Sequence, residues 1–226
     1  QEYASRTVAM DVVERYDVKN PRLASLFLAR CMASSGRELS VNKVYNEFKS
    51  RQISVSRNTL SDLLEYYEDA YLLFSVPEFT RSLANNTRSA SKVYAVDPAM
   101  FGAFSPASAL DHGQRLETAV FNALRRRTPA VRPGSVCRLL IKDKNKSHEV
   151  DFVAGDALLM QAYGLIQVSV DMTSEKTRER EIAALDAAMA QFDLGESVIV
   201  TMDEQADIPC KHGVVHAVPA WKWLLS

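Results

Sequence analysis

The chain has 226 residues, of which 47% are hydrophobic, 24% charged and 8% aromatic. These proportions exclude collagenous, mucin-like and wholly disordered classes and fit one large domain or two small ones. Charges nearly cancel, with 27 Lys and Arg against 28 Asp and Glu, so no global basic field marks a nucleic-acid binder. Three widely spaced cysteines, Cys31, Cys137 and Cys210, lack any CxxC spacing. That pattern argues against a disulfide framework or a zinc ribbon and for a reducing, cytoplasmic setting. No apolar run reaches the roughly 18 residues of a spanning helix, and no basic-then-apolar segment opens the chain, so no membrane partner is expected. Gln1 stands where Met would be, so a piece of a longer polypeptide is expected.

The first half reads as helical from Pro21 to about Glu68. Asn20 before Pro21 is an N-cap with proline in the first turn. Leu23, Leu26, Phe27 and Cys31 then recur at helical spacing until Gly36 ends the helix. Ser40 caps a second helix with Val44, Tyr45 and Phe48 on one face. Ser56 caps a third, with Leu60, Leu63, Leu64 and Tyr67 as its buried stripe. Strands are expected at Tyr71–Val76 and Lys92–Val96, joined by a polar loop through Asn85 and Asn86. Three short helices followed by a hairpin is the order of a winged helix-turn-helix, placed at residues 21–100.

A connector rich in small residues occupies 101–112, and the order then changes. Gln114 to about Arg127 is a helix with Leu116, Val120, Phe121 and Leu124 on its apolar face. Val136–Ile141, Glu149–Val153 and Leu165–Val170 are three strands. Thr173–Phe192 is a long helix striped by Ile182, Leu185, Met189 and Phe192. Ser197–Thr201 and Gly213–Val218 are further strands, and Pro219–Leu225 a short terminal helix. The fold class is therefore α+β or α/β, with a mixed central sheet in an α-β-β-β-α-β order over residues 113–226.

Acidic groups on a helix and on adjacent strands can converge on one divalent cation. Glu117 lies on the first helix of this half, Asp151 on the second strand, and Gln167 and Ser169 on one face of the third. Oxygen ligands suit Mg²⁺ or Mn²⁺, which would lower the pKa of an attacking water. A nuclease of this layout would want Glu at position 167 to complete the metal shell, and Lys at 169 to position the water and offset charge on phosphorus. Gln167 keeps an acceptor oxygen without a charge, and Ser169 supplies no cation.

The stretches Gly113–Glu117 continuing to Arg125–Arg127, Glu149–Val153, Leu165–Val168 and Thr177–Leu185 together resemble the restriction-endonuclease-like PD-(D/E)XK domain. The likeness is to the version found at the C-terminus of bacterial and archaeal AAA-type ATPases. Asp11–Tyr16, Val55–Leu60, Tyr67–Leu72 and Lys92–Asp97 are similar to the passage from ATPase to winged helix in the same proteins. The resemblance implies that residues 1–20 are the tail of an ATPase domain absent from this chain. It implies Glu117 and Asp151 as the first two metal ligands, with Gln167 and Ser169 in the degenerate Glu and Lys positions. Lys176 and Arg178, on the following helix, are candidate substitutes for the lysine. No GxxxxGK[ST] loop occurs, so ATP would be bound only through the missing domain.

Local charge points to a partner. Between Arg115 and Lys146 nine basic residues face two acidic ones: Arg115, Arg125, Arg126, Arg127, Arg132, Arg138, Lys142, Lys144 and Lys146 against Glu117 and Asp143. Arg57 is expected near the start of a recognition helix, and Arg81 and Arg88 in a wing suited to phosphate contact. Duplex or branched DNA is one expected partner, an ATPase domain in cis another, and a second copy of the chain a third. Three readings follow. The chain is a non-cleaving nucleic-acid-binding or regulatory region of an AAA-type ATPase, an active Mg²⁺- or Mn²⁺-dependent endodeoxyribonuclease, or an assembly module. Tyr66, Tyr67 and Tyr71 are expected as core aromatics, Trp221 and Trp223 as a packing anchor, Cys137 as a small core hydrophobe, and His148, His212 and His216 as surface residues.

Overall fold

A computed structural model describes residues 2–81, 91–100, 111–127, 135–143 and 146–226. The fold is mixed α and β, in two compact units. The first comprises Gln1–Ser75 with Ser89–Gln114, the second Val76–Arg88 with Arg115–Ser226. Among the described residues no helix is long and apolar enough to cross a membrane.

The first unit opens with α1 (Glu2–Thr7), which runs into a π-helical turn at Val8–Glu14. Helices α2 (Pro21–Met32), α3 (Val41–Ser50) and α4 (Arg57–Asp69) follow. Each begins at its expected cap. Asn20 Oδ1 accepts the Leu23 N–H at 3.0 Å, Ser40 Oγ that of Lys43 at 3.3 Å, and Ser56 Oγ that of Thr59 at 3.0 Å. These bonds satisfy donors that a helix start leaves open.

Gly36, at φ 71°, swings the chain from α2 into a short strand, β1 (Arg37–Leu39), which the sequence pattern had not suggested. With β2 (Leu73–Val76) and β3 (Ser91–Ala95) it forms a sheet of order β1-β3-β2, in which Glu38 stands opposite Lys92. The core gathers around Phe27, whose ring meets Phe48 edge-on at 6.4 Å and Tyr67 at 5.9 Å. The Tyr67 hydroxyl donates to the Ala24 carbonyl at 2.5 Å, and burial pushes its pKa well above the usual phenol range. Tyr66 is half-buried and stacks on Tyr16. Tyr71 departs from expectation: it is exposed, with a left-handed backbone that turns the chain from α4 towards β2.

The second unit is a six-stranded mixed sheet of order β4-β5-β6-β7-β9-β8. Its strands are β4 (Val136–Asp143), β5 (Lys146–Asp156), β6 (Gln161–Val168), β7 (Glu196–Thr201), β8 (Ala206–Pro209) and β9 (Val214–Pro219). The β4-β5-β6 meander and the β8-β9 hairpin are antiparallel, while β6-β7 and β7-β9 are parallel. Helix α5 (His112–Arg127) stacks Phe121 on Phe152 at 6.0 Å. Helix α6 (Glu175–Phe192) links β6 to β7, and α7 (Ala220–Leu225) ends the chain. At the hairpin between β8 and β9 a Cβ on Gly213 would meet the Gly195 carbonyl at 2.1 Å, so only glycine allows that approach.

Two differences from the sequence pattern matter for function. Along α6 the buried stripe is Glu181, Ala184, Leu185, Ala188 and Met189, while Ile182 and Phe192 are only half-buried. The stripe shares Leu185 and Met189 with the expected one but swings toward Glu181, Ala184 and Ala188, and so includes a charged side chain. The second difference lies just after β2. Pro77–Phe79 pair with β4, through Arg138 N–H to Pro77 O at 2.9 Å and Phe79 N–H to Arg138 O at 2.7 Å, and Phe79 meets Phe192 edge-on. The chain therefore enters the second unit before it returns to β3. Residues 82–90, the 101–110 part of the connector, 128–134 and 144–145 lie outside those described.

Because Phe27 is fully buried between two rings, Phe27→Ala should destabilise the first unit by about 3–5 kcal/mol. Urea unfolding followed by far-ultraviolet circular dichroism would measure it, and a loss below about 1 kcal/mol would contradict this packing.

Candidate functional site

Strands β5 and β6 pair from Asp156 and Gln161 to Phe152 and Ile166, with one register shift between Ala154 and Gly155. One residue further, side chains replace the backbone ladder. The Asp151 N–H donates to Gln167 Oε1 at 3.1 Å, and the Val168 N–H donates to Asp151 Oδ2 at 3.0 Å. A bulge prepares this fork. On the other side of β5 the register steps from Cys137↔Val153 to Leu139↔Val150, so β5 carries one extra residue opposite Arg138. Bulges re-aim side chains next to sites, and here the extra residue falls at Asp151 and Phe152.

From the fork a polar chain runs into α6. Gln167 Nε2 donates to Glu181 Oε2 at 2.6 Å, and the other oxygen of Glu181 accepts both Nε (3.1 Å) and Nη2 of Arg180. Asp151, Gln167 and Glu181 are only 8%, 6% and 5% exposed, whereas the Arg180 side chain is 71% exposed. The hydrogen bond and charge of Glu181, with a smaller contribution from Asp151, hold the Arg180 guanidinium above even its usual range. Gln167 thus links the Asp151 backbone N–H to the Glu181 carboxylate, and Arg180 pairs with Glu181. A buried charge persists only when paired or hydrogen-bonded, and this chain meets that condition internally.

The sequence-predicted residues divide accordingly. Asp151 and Gln167 meet directly. Ser169 is buried just beyond β6, its hydroxyl donating to the Asp171 carbonyl at 2.8 Å and its N–H to Val200. Glu117 is half-buried on α5, one turn before the Phe121 that stacks on Phe152. Lys176 and Arg178 are exposed near the start of α6; the cation that reaches the carboxylates is Arg180. Arg180 and Glu181 were missed. The available signal was Glu181 itself, a charged residue three and four positions before Ala184 and Leu185 on the apolar stripe. Among the described residues no group of three or more His, Cys, Asp or Glu is arranged to hold a metal ion. The donors at Asp151 and Gln167 are engaged with backbone N–H groups, and Glu181 with Arg180.

The cations named in the sequence are dispersed. Arg57 starts α4, but its guanidinium lies 4.4 Å from the Tyr45 ring centroid, and the rest of α4 carries Asp62, Glu65, Glu68 and Asp69. Arg81 belongs to the second unit, where Nη2 donates to the Leu159 carbonyl at 3.3 Å, so the expected wing placement is corrected. Arg138 is buried and Arg125 half-buried, while Arg115, Arg126 and Lys142 are exposed. Arg127 lies over the Trp223 ring. Arg88, Arg132, Lys144 and the side chain of Lys146 fall outside those described.

His148 is half-buried in β5, opposite Ile141. His216 meets Asp207 across the β8-β9 pair at 2.7 Å. His212 binds Asp186 of α6 through its N–H (2.8 Å) and Nδ1 (3.0 Å). Burial pushes the Asp186 carboxyl up, but the His212 N–H, the Cys210 thiol and the His212 ring outweigh it and hold the group below its usual value. Cys137 is fully buried, with its thiol pushed up to about 12 by that burial.

Residues 1–111 match a family described as a domain of unknown function (DUF8612), a match that ends just before the second unit's main segment begins at Arg115. The whole chain is similar to an uncharacterised protein of Methanocaldococcus jannaschii, 31% identical over 232 residues, covering 100% of this chain and 49% of the relative. It is also similar to an uncharacterised protein of Haemophilus influenzae, 24% identical over 150 residues, covering 66% of this chain and 35% of the relative. The chain thus spans about half the length, or less, of the curated relatives it matches. No solved structure matches it.

Gln167→Ala should cost the second unit about 3 kcal/mol, since it orphans a buried carboxylate oxygen and a backbone N–H at about 1–3 kcal/mol apiece. Equilibrium urea unfolding reads it directly; a neutral substitution would mean the polar chain is not formed. Asp186→Asn gives a pH test. A carboxyl held below its unfolded value of 3.8 contributes stability above that pH and loses it as pH falls through the folded value. The stability gap between the native chain and the variant should therefore be full near neutrality and close below about pH 4. A gap that widens on acidification would overturn the assignment.

Proposed function

We propose that this chain is a nucleic-acid-binding region of a longer protein, in which a nuclease-like fold binds without cutting. In this reading the first unit is a winged helix-turn-helix, and the second a restriction-endonuclease-like domain that has lost its catalytic lysine and third carboxylate. The three helices with a β1-β3-β2 sheet support the former, and the mixed sheet flanked by α5 and α6 supports the latter. The resemblance to AAA-type ATPases supplies the expected partner in cis, and the greater length of both relatives leaves room for one.

The observation that carries the reading is the closed polar chain Asp151–Gln167–Glu181–Arg180. Phosphodiester hydrolysis needs carboxylate oxygens free to hold a cation, and a cation free to face the phosphate. Here one Asp151 oxygen accepts a backbone N–H, and Glu181 is taken up by the Gln167 carboxamide and the Arg180 guanidinium. An architecture that once oriented a phosphodiester then retains its surface for holding DNA.

One observation favours assembly for the first unit. A helix that reads a major groove is usually basic, yet α4 has one arginine, engaged with Tyr45, against four acidic residues. DNA contact is therefore assigned to the second unit, and the exposed face of α4 to protein docking.

Fluorescence anisotropy with labelled duplex and four-way-branched DNA tests the proposal. Binding should weaken steeply with salt, with a log–log slope near −0.9 per phosphate contact. Plasmid should stay unnicked with Mg²⁺ or Mn²⁺. Absence of salt-sensitive binding to either DNA would leave only the docking reading. Nicking that Asp151→Ala abolishes would establish a working nuclease instead.

A further inference from the structure

We infer that Pro77–Phe79 is a strap that holds the β5 bulge in place and so positions Asp151 in the fork. This concerns how the fork is held and stands whether or not DNA is the ligand. Cys137 pairs with Val153 and Leu139 with Val150, so Asp151 and Phe152 share one position on β4, that of Arg138. Both backbone groups of that same residue are turned to the strap. The Arg138 N–H donates to the Pro77 carbonyl at 2.9 Å, and the Phe79 N–H donates to the Arg138 carbonyl at 2.7 Å. Glu78 thereby bridges Arg138 in parallel, at one residue only. Pro77 has no N–H to give β4, so the pairing begins at its carbonyl and stays confined to the bulge.

The side chains repeat this placement. Phe79 is 3% exposed and meets Phe192 of α6 edge-on at 5.4 Å. It shares one apolar core with Cys137, Leu139, Val150 and Val153, the four residues that frame the bulge on both strands. A bulge disrupts its ladder locally, and an edge strand without a neighbour is free to slip there. The strap supplies that neighbour at the one residue where β5 gives β4 two for one. A slip by one residue would turn Asp151 away from the Val168 N–H and open the fork. Phe79 and Pro77 touch neither Gln167 nor Glu181 in this account; they act through Arg138 and the bulge as positioning residues.

Amide hydrogen exchange of the full chain, read by NMR, tests this. In the native chain, with guanidinium raised stepwise below the unfolding midpoint, the N–H groups of Phe79, Arg138, Asp151 and Val168 should open as one cooperative unit. The reference is the Val214 N–H at the start of β9, which donates to the Gly195 carbonyl and should open separately. Phe79→Ala should speed exchange at Arg138, Asp151 and Val168 about tenfold relative to Val214. Phe79→Leu, which keeps an apolar side chain, should return all three to within about threefold of native.

Faster exchange at Arg138 with Asp151 and Val168 unchanged overturns the positioning role. So does a uniform acceleration that includes Val214, the mark of a general loss of packing. If Phe79→Ala does not fold, the native isotherms decide: separate openings for strap and fork, or one opening shared with Val214, overturn the inference. Failure of the chain to bind DNA would sink the reading above and leave this one standing.

Discussion

The fork between β5 and β6 is the constraint on which the second unit's chemistry depends. Where the antiparallel ladder would otherwise continue, each strand contributes one side chain to the other's backbone: Gln167 accepts from Asp151 and Asp151 from Val168. The exchange closes that edge of β6, while its other edge pairs in parallel with β7 over Ile166–Val168. It also explains why position 167 is a carboxamide. A carboxylate there could accept from the Asp151 N–H but could not donate to Glu181. Three acids would then crowd around one guanidinium, and without a bound cation the desolvation of so many like charges would push at least one to protonate. Glutamine supplies donor and acceptor together and keeps the cluster intact without metal.

Charge is distributed against the expectations of a simple groove reader. The first unit's helix α4 is acidic along its length, and its arginine is folded onto a neighbouring ring. The second unit carries exposed cations at the end of α5, at Lys142 of β4, near the start of α6 and on the terminal helix. The near-zero net charge of the chain therefore hides an acidic stretch on α4.

Much of this was legible in the residues alone. Side-chain oxygens at Asn20, Ser40 and Ser56 act within one helical turn, so local pattern suffices to place three helix starts. The strands of the central sheet carry enough continuous apolar character to be placed within a few residues. What escaped depends on distant contacts. Strand β1 has only three residues, two of them charged, and exists because β3 is there to pair with it. Strand β8 is an exposed edge with one half-buried residue, Ile208, and nothing in its pattern separates it from a loop. Glu181 can sit on the α6 stripe because Gln167, 14 residues away in sequence, offers it a bond that offsets its burial. Trp221 and Trp223 look alike on paper; the approach of Arg127 to Trp223 is what distinguishes them.

The excursion of Pro77–Phe79 into the second unit bears on how such a protein can be rearranged. A stretch lying between β2 and β3 covers part of the β4 edge and seats a ring against Phe192. The two units are consequently interleaved along the polypeptide rather than strung end to end. A gene-level cut between residues 101 and 112 would strip the downstream piece of that covering strand and expose an apolar seam. The downstream half is therefore completed by a strand encoded upstream of that cut.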